Sequence, residues 1–589
     1  MTSQAPRPVN DHLMNLALAA LGVGVIVAVL LRTAGTVTAW LTGQPAPSGG
    51  VASGFGVFTR PLDPGAALGS PGLNPFLYWF VALLFLAVVA VPTMWGVTRF
   101  RNRKQHPDVR RVDGIATGGE IAAVASRRQL LRRAATLRPS LTKETAKPED
   151  VGYYLGRARG QEVWATIEDS MLVIGPPRSG KGLHLVVNSI LDAPGAVITT
   201  STRPDNLTIT LEARRRIGPV AVFDPQRLAP GLPAGLQWSP VRGCVDPLTA
   251  MIRAAGFAAA SGFGDVESGG FWEGKTRGAI QALLHAAAID GRDARALYQW
   301  ALSPTAAMDA VRVMQGSTLA AEGWAESLES MITADPRTRD SIWQGVGLAF
   351  QSLADPRVLE AVTPPEGQEF DPETFIANRG TLYLLATGSG ASSSAPLVAA
   401  FIEDLVEVAR RMAARSAGAR LDPPILMALD EIGNLAPLPS LPVLMAEGGG
   451  TGITCCPVLQ SLAQARESWG ENNAQAIWDA SIVKIVLGGG SNAKDLQDLS
   501  ALFGERDEST DTLGADQYGG HSVQRSIRRI PVLPPDLLRA LPFGTGAIVL
   551  RAARPIIADL RPWTRRTGAA GLQEERAAVE AQIRAAHQS

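Results

Sequence analysis

The chain has 589 residues, 55 of them basic and 55 acidic, so its net charge is zero. That length exceeds one ordinary core and calls for about two or three domains. Neutrality excludes a protein that coats nucleic acid through bulk charge, while leaving room for a local basic channel.

In chain order, the first feature is an almost wholly apolar run at 13–31, where Asn15 is the polar exception. A second apolar run covers 75–97, with Pro92 near its end. Each suits a bilayer-spanning helix of roughly 20 residues. A cleaved signal peptide is the alternative for the first run, but the second reads as an independent span. Arg99, Arg101, Arg103, Lys104, Arg110 and Arg111 follow closely, whereas Thr33 to Asn74 carries only Arg60 and Asp63. Positive flanks stay cytoplasmic. Both termini and nearly everything after residue 100 are therefore expected in the cytoplasm, with the short loop facing outward.

Residues 105–150 read as a basic juxtamembrane connector. Arg127, Arg128, Arg132 and Arg133 suit either anionic lipid or a solvated face. From Glu162 the pattern changes. Ser170 to Ile174, Gly195 to Thr200 and Pro219 to Asp224 are β-prone runs separated by helical stretches, which predicts a parallel sheet covered on both faces. Residues 245–355 are Ala-rich and helical in period, with Phe271 and Trp272 as a core anchor. Strand signals return at Thr381–Leu385, Ile425–Leu429, Ile453–Leu459, Ile482–Leu487 and Ala547–Leu550. The expected organisation is an anchor at 1–104, the connector at 105–150, a nucleotide-binding region in two parts at 151–244 and 356–563, an all-α block at 245–355, and a helical or frayed tail at 564–589. Cysteine is scarce, and adjacent Cys455 and Cys456 read as small buried hydrophobes.

The chemistry starts at Gly175-Pro176-Pro177-Arg178-Ser179-Gly180-Lys181-Gly182. A strand precedes this loop and a helix follows, the context a phosphate loop requires. Glycines let backbone N–H groups converge on phosphate oxygens, and the helix N-terminus adds positive dipole. Lys181 would reach the β and γ phosphates of ATP. Leu183, in the next turn, completes the expected binding set. Gly182 stands where a Mg²⁺-binding hydroxyl is usual. The strand Pro424 to Leu429 ends in Asp430 and Glu431. Asp430 is the expected Mg²⁺ ligand, directly or through water, and Glu431 would polarise the attacking water. An ordinary strand with a solvated acidic turn is the alternative. Gln460 follows another buried-type strand and would sense the γ-phosphate. Arg203 lies on a further strand edge. Arg466, Arg525, Arg528 and Arg529 are candidates for an arginine finger or DNA contact, against a solvated face.

The ordered set resembles one family. It comprises two N-terminal spans, the loop at 175–182, a helical insertion, Leu429-Asp430-Glu431-Ile432-Gly433-Asn434-Leu435, Glu447-Gly448-Gly449-Gly450 with Gly452-Ile453, and Gln460-Ser461-Leu462-Ala463-Gln464. It is similar to the type IV secretion coupling proteins, the TraG/TraD-like conjugative ATPases, over roughly residues 150 to 560. That family commonly has Gly after the loop Lys, so Gly182 becomes a match. The resemblance implies a RecA-like P-loop domain carrying an inserted all-α domain behind two transmembrane helices. It implies ATP and Mg²⁺ as cofactors, a homo-hexamer at the bacterial inner membrane, and partners in DNA, a relaxase and secretion-channel components. The expected function is translocation of a relaxase-bound DNA strand. Protein effector recruitment, an FtsK-like DNA pump and a non-catalytic membrane scaffold are the other readings; the helical insertion argues against the pump, and intact Lys181, Asp430 and Glu431 argue against the scaffold.

Overall fold

The protein is described from a computed structural model over residues 11–103, 108–142, 144–232, 235–259, 269–387, 394–515 and 521–588. It divides into two compact units, Met1–Asp108 and Val109–Ser589. Lys104, counted above in the positive flank, lies outside the described residues.

The first unit contains two long helices, Asp11–Thr42 and Pro75–Arg103. Within them, Ala20–Thr42 and Pro75–Trp95 are long and apolar enough to cross a membrane. Of the most apolar 18-residue window in each, 22% and 17% is buried by protein. The first span thus extends beyond the expected 13–31. Arg32 ends the apolar run in sequence, but its Nε donates to the Gly49 carbonyl at 2.7 Å and the helix continues. It stops before Gly43, in the left-handed region at φ 67°. The connecting loop is shorter in consequence and holds two brief helices, Ser53–Gly56 and Pro64–Leu68. Leu31, Val57, Leu68, Tyr78 and Val81 form its small core.

Among the described residues, the second unit has thirteen strands. They are β1 (Gly152–Ala158), β2 (Gln161–Thr166), β3 (Met171–Ile174), β4 (Val197–Ser201), β5 (Val220–Phe223), β6 (Thr381–Leu385), β7 (Ile425–Asp430), β8 (Ile453–Leu459), β9 (Val483–Leu487), β10 (Glu505–Ala515), β11 (His521–Pro531), β12 (Thr545–Leu550) and β13 (Ile556–Asp559). Eleven form one sheet in the order β2-β1-β13-β12-β9-β3-β8-β7-β4-β6-β5, and β10 and β11 make a separate hairpin. From β9 to β5 every neighbouring pair is parallel. The strands from β12 to β2 are antiparallel.

Side chains alternate between two cores, as the pleat requires. Leu172, Ile174, Ile198, Met427 and Leu429 enter one face. Met171, Val173, Val197, Leu426 and Ala428 enter the other. Cys455 and Cys456 fall on opposite faces, both buried, and burial pushes both thiols well up.

Among the described residues, 247–377 is helical. Several of these helices start the same way. Ser303, Asp335, Asp355 and Asp371 each cap a helix whose first residue is proline. The side chain accepts a free backbone N–H, and the proline has none to lose. Leu283, Trp300 and Phe350 from this block share one core with the sheet face at Leu172 and Ile198. Trp272 packs against that core, but Phe271 is 56% exposed, so the expected anchor is Trp272 alone.

Two segments read as peripheral are packed. The connector's Ile121, Leu130, Ala134 and Leu137 are buried in the second core beside β1 and β2. Arg133 meets Glu168 at 2.9 Å, while Arg127, Arg128 and Arg132 stay exposed. The final helix, Ala569–Gln588, buries Val579 and Ile583 against Leu207, Leu211 and Tyr383.

Candidate nucleotide site

Three neighbouring strands, β3, β8 and β7, end nearly level. Ile174 pairs with Leu459, and Asp430 pairs with Val458. The glycine loop, Gln460, and the Asp430–Glu431 pair therefore leave the same edge of the sheet. Strands lie about 4.8 Å apart, so roughly 10 Å of sheet separates the loop from the carboxylates. Ligands of parallel sheets bind at this carboxyl edge.

The loop is held from both sides. Gly175 N–H donates to the Leu459 carbonyl at 3.0 Å. Gly180 has φ 89°, where a Cβ would also lie 2.6 Å from His184 Nδ1. His184 is buried, its Nδ1 lies 3.0 Å from the Gly180 carbonyl, and its ring packs edge-on to Phe543. Arg178 is also left-handed, at φ 64°. The helix after the loop begins at Gly182. Its first turn, Gly182–Val186, is π-helical before Val187–Asp192 continues as α-helix. Such turns gather at functional sites.

Lys181 Nζ donates to the Gly175 carbonyl at 2.9 Å. Burial lowers its pKa, while Asp430 and Glu431 oppose that shift. The lysine thus feels both carboxylates across the sheet edge. Burial pushes the Asp430 carboxyl up to about 6, against the pull of Lys181. Asp430 Oδ1 and Ser179 Oγ are both buried without a hydrogen-bond partner. Unpaired buried oxygens of this kind suit a cation and a phosphate ligand, so the residues present fit Mg²⁺ and a nucleotide.

Glu431 stands at φ 54°, a costly conformation for a residue with a side chain. Its Oε2 accepts from the Thr202 hydroxyl. Thr200 Oγ1 donates to the Asp430 carbonyl at 2.8 Å. Arg203 is exposed, and Thr202 makes the contact. Asn206, absent from the sequence reading, is buried beside Asp430. The signal for both was their position just beyond β4, next to β7 in the sheet.

Gln460 lies on the other side of the loop. Its N–H donates to Gln464 Oε1 at 2.8 Å. With Pro176, Pro177, Asn492 and Asp495 it lines a cavity of about 280 Å³. Gln464 Nε2 reaches Asn434 Oδ1 at 2.6 Å, which ties this turn to the segment after Glu431. Arg466 is engaged within the chain, 2.5 Å from Asp495. Arg525, Arg528 and Arg529 are exposed on β11, where Glu508 and Asp507 face Arg528 and Arg529 across the hairpin. In the resemblance's glycine run, a Cβ on Gly449 would lie 1.9 Å from the Glu168 carbonyl oxygen, so close backbone approach explains that glycine.

A family model described as type IV secretory system conjugative DNA transfer matches residues 122–231. A second, described as the TraM recognition site of TraD and TraG, matches residues 424–543. No curated protein matches the chain by sequence. Among solved structures, the unbound bacterial conjugative coupling protein TrwBdeltaN70 has a TM-score of 0.52 at 18% identity, covering 74% of this chain and 92% of its own. That likeness is one of fold. The plasmid coupling protein TrwB with ADPNP has a TM-score of 0.48 at 18% identity, covering 74% of this chain and 93% of its own. With ADP and Mg²⁺ the TM-score is 0.46 at 20% identity, covering 74% and 93%. The two family models fall on the segments that carry the phosphate loop and the paired carboxylates, and they mark the chain as similar to the TraG/TraD-like type IV secretion coupling proteins, whose fold it shares.

Proposed function

We propose that this chain is a membrane-anchored ATPase that recruits conjugative DNA, with its bound relaxase, and passes it to a type IV secretion channel. One observation carries the reading. Lys181, Asp430, Glu431 and Gln460 leave the same edge of three adjacent parallel strands, in a chain similar to the conjugative coupling proteins.

In this reading the backbone from Gly175 to Leu183 cradles the phosphates, and Lys181 neutralises the β and γ groups. Asp430 holds Mg²⁺, which supplies further charge neutralisation on the phosphate oxygens. Glu431 orients the attacking water and accepts its proton. Gln460 reports on the γ-phosphate. The helical block at 245–355 is the inserted all-α domain between the two parts of the nucleotide-binding region. The two apolar helices anchor a multi-pass protein in the bacterial inner membrane, with the bulk in the cytoplasm. Assembly is a homo-hexamer, with ATP at subunit interfaces.

The test is Lys181→Ala in the full-length protein. It should abolish ATP turnover and conjugative transfer together. Undiminished transfer in that variant overturns the motor reading. ATP turnover stimulated by DNA supports the DNA cargo; indifference to DNA with tight binding of a secreted protein moves the cargo to effectors.

A further inference from the structure

The residue after the loop lysine is Gly182, so the site lacks the hydroxyl that usually faces Mg²⁺ there. Its surroundings do not demand a glycine. A Cβ at 182 would meet a single atom within 4 Å, Oδ1 of Asn206 at 3.8 Å. The space that a Ser or Thr side chain would enter therefore opens directly on the oxygen of a neighbouring amide.

Asn206 is placed there by the fold. It is the second residue of the helix Asp205–Arg215, which follows β4. In the sheet β4 lies beside β7, the strand that ends in Asp430. Asn206 is only 3% exposed. Asp430 Oδ1 is buried without a hydrogen-bond partner. The amide lies close enough to favour the charged form of the Asp430 carboxyl.

The nearby hydroxyls are committed elsewhere. Thr200 Oγ1 donates to the Asp430 carbonyl, and Thr202 Oγ1 to Glu431. Thr208 and Thr210 bond back to their own helix, at the Asp205 and Asn206 carbonyls. Ser179 Oγ is unpartnered, but it sits within the loop against Gly175.

We propose that Asn206 completes the metal half of the nucleotide site, its amide oxygen holding Mg²⁺ or a Mg²⁺-bound water opposite Asp430 in place of the missing hydroxyl. An amide oxygen is a hard, neutral ligand suited to this ion. The metal site is thus shared between the helix after β4 and the strand β7, rather than between the loop and β7. The inference rests on the nucleotide-site reading above.

The experiment uses full-length protein in detergent, with a fluorescent ADP as probe and Mn²⁺ followed by electron paramagnetic resonance. Wild type should bind the nucleotide in EDTA and bind it more tightly with Mg²⁺. Asn206→Ala should keep the EDTA affinity and weaken Mn²⁺ binding by about tenfold or more, as loss of a metal-supporting group does. Adding Gly182→Ser to Asn206→Ala should restore the metal affinity. Unaltered Mn²⁺ affinity in Asn206→Ala overturns the proposal while leaving the nucleotide site standing. Failure of the wild type to bind nucleotide under either condition overturns the site reading itself. If Asn206→Ala does not fold, Asn206→Asp decides: it should tighten Mn²⁺ binding, and no change overturns the proposal.

Discussion

The Thr202 hydroxyl donates to Oε2 of Glu431, linking the end of β4 to the end of β7. The bond fixes a carboxylate whose own backbone is left-handed, at φ 54°. A proposed water-orienting group is therefore held by a strained backbone and one side-chain partner. Thr202→Val should release it. The expected result is a fall in kcat of about tenfold with an almost unchanged KM for ATP, because the lost contact orients a reacting group rather than binding substrate. Steady-state ATP turnover checks this; an unchanged kcat removes Thr202 from the site.

The strain at Glu431 makes a second prediction. Glu431→Gly accepts φ 54° without a Cβ penalty, so it should stabilise the protein by about 1 kcal/mol while ending turnover. Glu431→Gln keeps the strain and should trap unhydrolysed ATP. Thermal unfolding and the identity of bound nucleotide distinguish the two. A Glu431→Gly variant that unfolds earlier than wild type counts against stored strain.

Asp430 predicts a pH dependence of stability. Its pKa rises from 3.8 to about 6 in the fold, chiefly through burial. The folded state thus prefers the protonated carboxyl. That contribution is fully present below 3.8 and is lost as pH rises through about 6. Asp430→Asn cannot ionise. It should be more stable than wild type at pH 8 by roughly 3 kcal/mol at most, and equal to it at pH 3.5. Denaturant unfolding of the nucleotide-free protein at the two values measures the gap; a constant difference across pH would show that the carboxyl is not responsible.

The helical block is tied by a buried ion pair to the helix Ala395–Arg415, which precedes β7. Arg253 Nη2 lies 2.8 Å from Asp404 Oδ1, with side chains 3% and 6% exposed. Arg253 also donates to the Pro240 carbonyl, at 2.9 Å. Asp404→Ala leaves a buried guanidinium unpaired and should cost about 3–5 kcal/mol. The double variant Arg253→Met with Asp404→Leu should recover most of that loss, since neither charge then stays buried. Unfolding of the single and double variants tests it.

The parallel strands were legible because each is a short apolar run flanked by turn residues. β3, β4, β5, β6, β7, β8 and β9 all fall on runs identified from sequence. Of the antiparallel part, β12 alone falls on such a run, Ala547–Leu550. β1 and β2 mix Tyr and Trp with Arg, Glu and Gln, and β10 begins Glu-Arg-Asp-Glu-Ser-Thr, with no alternating apolar face to read. β1 pairs with its neighbour β2 and β10 with its neighbour β11, while β1 also meets the distant β13, so pairing and tertiary packing rather than a local apolar pattern decide these strands. The connector failed for the same reason: Ile121 and Leu130 become core residues only because β1 and β2 lie beneath them.

The candidate site divides likewise. Sequence alone determined Lys181 in its glycine loop, the Asp430–Glu431 pair closing an apolar strand, and Gln460 closing another, because each has a local context of strand followed by turn. It determined two apolar helices for the same reason of composition. Only the tertiary structure decided that β8 stands between β3 and β7, that Thr202 meets Glu431, and that Asn206 faces both Gly182 and Asp430. Strand order is set by how helices pack on both faces of a sheet, so residues 24 positions apart, and others more than 200 apart, become neighbours through packing that no local pattern encodes.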